Sequence, residues 1–198
     1  MKQDLANHLL DVIEYNIAPM TAREVQRGNK IFGAAILLKK DLSLVIAQTN
    51  NEVENPLWHG EMHAIKKLHE MDKADIPDPK DCIFLTTHEP CSLCLSAITW
   101  AGYDNFYYLF SHQDSRDKFA IPHDIKILQE VFGQEGQKSL YNKDNAFFNS
   151  YSIVKMGEEF DEKQREKFNS RIKTIAAIYD DLSASYQAGK GEDGIPLA

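Results

Sequence analysis

Two short segments constrain this chain more than any others: His59-Gly60-Glu61, and Pro90-Cys91-Ser92-Leu93-Cys94 roughly thirty residues later. One imidazole and two thiolates make three of the four ligands of a tetrahedral zinc site, and catalytic sites leave the fourth position to water. A chain that uses them together must fold so that two distant segments meet. Both segments open helices. The run from His59 to Lys73 carries Met62, Ile65 and Leu68 as an apolar stripe, which puts His59 and Glu61 in a first turn. Cys91 to Ala101 predicts a second helix with Cys91 and Cys94 on one face. The partial positive charge of a helix N-terminus favours thiolates, so the spacing predicts two helix starts meeting around one metal.

Neighbouring residues admit plainer readings. Cys-x-x-Cys alone is ambiguous between a redox pair, half of a structural zinc site and coincidence. The third cysteine, Cys82, lies in the apolar run Cys82-Ile83-Phe84-Leu85 and reads as core packing in a strand. His63, one turn after His59, does not fit the metalloprotease spacing; substrate contact, support of a ligand and helix surface all stay open for it.

The pairing of His-x-Glu with Pro-Cys-x-x-Cys resembles the zinc-dependent cytidine deaminase superfamily. Both halves carry the resemblance, Pro56 to Ile65 and Glu89 to Ile98, and Phe32-Gly33-Ala34-Ala35-Ile36 is similar to the first strand of these enzymes. It extends over roughly residues 5 to 125. Two departures stand out: Gly60, where alanine or valine is usual, and the bulky Trp58. Both imply an unusual pocket shape. Cys94-Leu95-Ser96-Ala97-Ile98-Thr99-Trp100-Ala101 and the later His112-Gln113-Asp114 resemble the bacterial guanine deaminase and nucleoside deaminase branch.

The order of elements is read from patterning. Leu5 to Asn16 is an amphipathic helix; Phe32 to Leu38 and Leu42 to Gln48 are strands of a hairpin around Lys39-Lys40-Asp41. Strands at Cys82 to Thr86 and Asn105 to Phe110 alternate with the two helices above, and a short helix follows Pro122 and ends near Gly133. Alternation of this kind predicts an α/β fold, a three-layer α/β/α sandwich, and the resemblance implies a mixed, mostly five-stranded sheet.

Beyond Gly133 a polar loop runs to Gly136, and Ser152-Ile153-Val154-Lys155 is either the fifth strand or a loop anchor. From Asp161 to Tyr186 a long helix repeats Phe168, Ile172, Ile175, Tyr179, Leu182 and Tyr186 at steps of four and three. That seam needs cover, from the chain's own sheet or from a second subunit. Ala188 to Ala198 reads as a flexible tail or a segment closing over the site. The expected organisation is a zinc deaminase core over residues 1–135 and a C-terminal extension over residues 136–198 that packs on the core or on a partner.

Charge narrows the partners. The chain has 30 acidic against 22 basic side chains, a formal charge of -8, which argues against nucleic acid as substrate. Lys163, Arg165, Lys167, Arg171 and Lys173 are interleaved with acids and read as a solvated helix face. No apolar stretch approaches the ~20 residues of a membrane span, and the N-terminus lacks the apolar core of a signal peptide. With two of three cysteines assigned to metal, no disulfide is expected, and the cytoplasm is the expected compartment.

What the resemblance implies for chemistry is specific. Zn2+ held by His59, Cys91 and Cys94 makes hydroxide available near neutral pH, and Glu61 carries protons from water to the ring and then to the departing amino group. The backbone N–H of Gly60 would polarise a substrate oxygen, as would that of Cys91. Phe32 and Trp100 would frame a flat ring, or else Trp100 packs on the sheet as an ordinary helix residue. Asn51, or alternatively Asn50, and Asp124 would read the ring's hydrogen-bonding edge. The expected substrate is a small-molecule aminated heterocycle, a purine-like base or nucleoside with guanine foremost. Pyrimidines, pterins and aminotriazines remain open, as does an inactive zinc-stabilised scaffold. A homodimer is the expected assembly.

Overall fold

The computed structural model describes residues 2–133, 141–189 and 195. A helix, α1 (Lys2–Asp11), runs into a π-helical stretch at Val12–Ile17 and continues as α2 (Ala18–Val25). It continues past the expected stop at Asn16, with Pro19 just after the π-helical stretch. Strands β1 (Gly33–Leu38) and β2 (Leu44–Thr49) form the expected hairpin. Then come α3 (Gly60–His69), β3 (Cys82–His88), α4 (Ser92–Trp100) and β4 (Asn105–Phe110).

After β4 the chain forms α5 (His112–Asp117) and α6 (His123–Glu130). The first of these has no apolar stripe to betray it. A capping box between Ser111 and Asp114 holds it instead, each side chain satisfying the other residue's backbone N–H. Strand β5 (Asn149–Ser152), the short α7 (Ile153–Met156) and α8 (Glu162–Gly189) follow. The fifth strand thus ends where Ser152 to Lys155 was expected to start it; Ile153 turns inward as the fully buried first residue of α7.

The five strands make one mixed sheet in the order β2-β1-β3-β4-β5. β1 is antiparallel to β2 and β3, whereas β3-β4 and β4-β5 are parallel. Strand residues alternate between two cores, as a period of two requires. Ala35, Leu37, Ile83, Leu85 and Leu109 face α1, α2 and α8. Ala34, Ile36, Phe84, Phe106 and Tyr108 face α3 and α4. This is the expected three-layer sandwich.

The seam of α8 is covered by the chain itself. Phe168, Ile175, Tyr179, Leu182 and Tyr186 are buried in the first core, with Ile172 partly buried beside them. Arg171 clamps α8 to the first helix, donating to Glu14 Oε2 at 3.0 Å and to the Asn7 carbonyl at 3.2 Å. The polar loop after Gly133 and most of the segment from Ala188 to Ala198 lie outside the described residues. Among the described residues, no helix is long and apolar enough to cross a membrane.

Candidate metal centre and cavity

α3 and α4 leave the same edge of the sheet with their N-termini together. His59 and Cys91 occupy the N-cap positions of the two helices, and Glu61 and Cys94 lie in the first turns that follow. His59 Nδ1 lies 3.5 Å from Cys91 Sγ and 3.7 Å from Cys94 Sγ. A tetrahedral zinc with its usual bond lengths sets nitrogen and sulfur ligands about 3.6 Å apart. The three ligand atoms lie within 4.8 Å of one another, the one such cluster among the described residues. The donor set and its spacing therefore fit zinc with one position left open.

The electrostatics agree. Burial opposes a proton on His59, but hydrogen bonding and charge from Cys91, with Glu61 and Glu52 behind, outweigh it and push the imidazole up to about 9. Hydrogen bonding from Cys94, against burial and with help from His59, holds the Cys91 thiol well below its ordinary range; burial and Cys91 push Cys94 the other way. A cluster that shares protons so unequally is one that a divalent cation relieves. Glu61 is buried, with Oε2 3.3 Å from Cys94 Sγ. Burial first, then the charge of Cys91, raises its carboxyl to about 7.

Beside the cluster opens a cavity of about 290 Å³, lined by Phe32, Leu57, Ile121, Lys30, Glu52 and Asp124 together with His59 and Cys91. It is mostly apolar with a few polar groups, as small-molecule sites are. Phe32 and Asp124, two of the expected ring contacts, both line it. Asp124 opens the first turn of α6, and burial, then the charge of Cys91, pushes its carboxyl up to about 8.

Three expected contacts are not brought to the cavity. Trp100 ends α4 with its ring 91% exposed and joins a separate surface groove with Phe147. The stripe that buries α4 ends at Ile98, so position 100 points outward. The Gly60 N–H donates to Asn50 Oδ1 at 2.6 Å and is not available to a substrate oxygen. Asn51 turns its Nδ2 to Glu54 at 2.6 Å and does not line the cavity; the neighbouring Asn50 is the fully buried one. Cys82 is core, as expected. His63 donates from Nδ1 to the Thr49 carbonyl at 2.9 Å and stacks under Trp58, so it ties α3 to β2 and stays off the metal.

Two residues of the cavity wall have no counterpart in the sequence reading. Lys30 and Glu52 form a buried ion pair, Nζ to Oε1 2.7 Å, with side chains only 6% and 2% exposed. A lysine followed by Ile31-Phe32, directly before an apolar strand, was the available signal: charge at that place must be paired or solvated.

Comparison with known proteins places this geometry. Residues 13–110 match the family model described as the cytidine and deoxycytidylate deaminase zinc-binding region, an interval that includes His59, Glu61, Cys91 and Cys94. Over that interval the chain is similar to that deaminase family. A guanine deaminase of Bacillus subtilis (strain 168) is 36% identical over 88 residues, which cover 43% of this chain and 54% of the relative. The chain thus spans about half the length of that curated relative.

Among solved structures, the guanine deaminase from Nitrosomonas europaea superposes with a TM-score of 0.53 at 18% identity, covering 85% of this chain and 84% of that one. The NE0047 protein in complex with 2,6-diaminopurine gives a TM-score of 0.53 at 17% identity, covering 92% and 83%. At these identities the likeness shows the deaminase fold, and the match by sequence carries the family.

Proposed function

We propose that this deaminase-family chain hydrolyses the amino group of a purine-like base, guanine foremost, releasing ammonia and leaving an oxo group. The observation that carries it is the placement of Glu61, a buried carboxyl 3.3 Å from the sulfur of Cys94, behind an apolar cavity that His59 and Cys91 line. The 36% identity to a guanine deaminase supports the choice of ring.

Zinc on His59, Cys91 and Cys94 supplies Lewis acidity that makes a water proton labile near neutral pH. The chain's own residues do the rest. Glu61 Oε would accept that proton and deliver it to the ring nitrogen beside the attacked carbon, then take a second proton from the hydroxyl on that carbon and pass it to the amino group, which leaves as ammonia when the C–N bond breaks. Its burial keeps the protonated carboxyl accessible, as a group that must act as both base and acid requires. Phe32 offers an aromatic wall to the ring, Leu57 and Ile121 exclude water, and the Asp124 carboxyl meets the ring's hydrogen-bonding edge.

Ammonia release by the zinc-loaded protein over guanine, guanosine, adenine, cytosine, cytidine, pterin and aminotriazine tests this, with Glu61→Gln as control. Guanine turnover that vanishes in the control is the expected result. Turnover equal in both proteins overturns the mechanism. Turnover confined to a pyrimidine overturns the choice of ring and keeps the chemistry.

Assembly and compartment belong to the same reading. We place the chain in the cytoplasm as a homodimer, with residues 1–135 as the catalytic core and 136–198 as an extension of it. The exposed Trp100 and Phe147, side by side in a surface groove with Leu95, support a partner at that face. Light scattering over a range of concentrations checks it.

A further inference from the structure

Glu52 is a buried ionic group that the proposed chemistry leaves without a task. Its carboxylate accepts from Lys30 Nζ at 2.7 Å on Oε1 and from Asn50 Nδ2 at 2.7 Å on Oε2, with the Lys30 backbone N–H at 3.4 Å. The same Oε1 lies 3.8 Å from His59 Nε2. His59 turns its other nitrogen, Nδ1, to the sulfurs of Cys91 and Cys94. The imidazole is therefore held with thiolates at one nitrogen and a carboxylate facing the other.

Burying a lysine and a glutamate together gains little net stability, because desolvation of two charges offsets their attraction. Packing alone would be served as well by two apolar side chains. What apolar residues cannot do is orient an imidazole. A neutral histidine carries its proton on one nitrogen, and the partner of that N–H decides which. Asn50 extends the arrangement: its Oδ1 accepts from the Gly60 N–H at 2.6 Å, so the carboxylate is joined to the backbone immediately after His59.

We propose that Glu52, charge-balanced by Lys30 and aimed by Asn50, is a positioning residue for the metal: it holds the His59 proton on Nε2 and leaves the Nδ1 lone pair to the cation. Metal-bound histidines generally donate their second N–H to such a partner, and its loss typically weakens metal binding about 10–100-fold. The 3.8 Å separation is longer than a hydrogen bond. The carboxylate acts across it electrostatically. The inference rests on the zinc reading of His59, Cys91 and Cys94 and is independent of which substrate is deaminated.

Zinc affinity of the full chain, measured by chelator competition, tests it. Glu52→Gln alone leaves Lys30 buried without its counter-charge, so the paired Lys30→Met/Glu52→Gln variant is measured beside it. Both are expected to bind zinc about 10–100-fold more weakly, while the melting temperature of the zinc-free paired variant stays close to wild type. Long-range proton–nitrogen spectra of the zinc-loaded wild type are expected to place the His59 proton on Nε2, with that signal lost to exchange in the variant. Zinc affinity in the paired variant within about threefold of wild type overturns the proposal. So does an equal fall in melting temperature with and without zinc, which marks the pair as a structural strut. Because the readout is metal binding, a protein that keeps this effect but turns over no substrate refutes the deaminase reading and leaves this one standing.

Discussion

Gly60 sits directly against Gly33. A Cβ on Gly60 would stand 2.7 Å from the Gly33 Cα and 3.0 Å from its carbonyl carbon and its nitrogen. The obstacle is backbone, so it cannot rotate away. The start of α3, with His59 and Glu61 on it, is seated on β1 at a distance only two glycines permit. Gly33 is itself hemmed in, since its own Cβ would meet Ile17 Cγ2 at 2.3 Å.

Gly60→Ala is therefore expected to destabilise the protein by about 1–3 kcal/mol, the usual range for overpacking, and to weaken zinc binding as His59 is pushed off the sheet. An unhindered helix position would respond the other way, since alanine exceeds glycine in helix propensity by about 1 kcal/mol. Thermal melts decide by sign: a more stable Gly60→Ala would show that the contact yields.

Glu61→Gln is expected to retain zinc and lose activity by at least about 10²–10⁴-fold, the scale of general acid–base catalysis. Cys91→Ala should lose the metal as well as the activity. Elemental analysis of the two purified variants separates the roles; zinc-free Glu61→Gln would mean that the carboxylate is a ligand.

Acid sensitivity is traced to His88. Its ring is enclosed by Phe32, Phe110, Phe119 and Tyr179 at centroid distances of 4.7 to 5.5 Å. Nδ1 lies 2.9 Å from Thr87 Oγ1, and Nε2 is buried with no partner among the described residues. Burial pushes its pKa from 6.5 down to about 3. Between those two values the unfolded chain binds a proton that the folded chain refuses, so stability falls as pH falls below 6.5. The expected slope from this group is about 1.4 kcal/mol per pH unit. His88→Phe should flatten denaturation midpoints measured between pH 6.5 and 4.5; an unchanged slope would assign the acid sensitivity elsewhere.

Trp100→Ala is expected to leave zinc content unchanged and to shift the chain towards monomer at low micromolar concentration. Sedimentation velocity reads this directly. A monomeric wild type, or a variant that dimerises as well as wild type, would remove Trp100 from the interface.

The parts of the fold that carry periodic apolar patterns were legible before any coordinates. β4 begins and ends at Asn105 and Phe110 as expected, and Phe168, Ile175, Tyr179, Leu182 and Tyr186 form the buried seam of α8. Elements held by polar contacts were not legible. α5 rests on the Ser111 capping box, and β5 has a half-exposed face that makes no apolar run. At the site, the structure brings His59, Glu61, Cys91 and Cys94 together, as the local spacing of two helix starts predicts. Trp100 was placed at the ring because its residue type suited the task, yet whether a helix residue faces a cavity depends on which stripe the helix buries.

From sequence alone came the ligand set, the class of chemistry, the α/β alternation and the acidic charge that disfavours nucleic acid. Each depends on residues near one another in the chain. Only the tertiary structure decided that Asn50 and not Asn51 is tied to Gly60, that α8 covers the chain's own sheet, and that Lys30 and Glu52 wall the cavity behind His59. Those relations join residues ten to more than a hundred positions apart, and whether a charge there meets a counter-charge or water is decided by packing that no local pattern encodes.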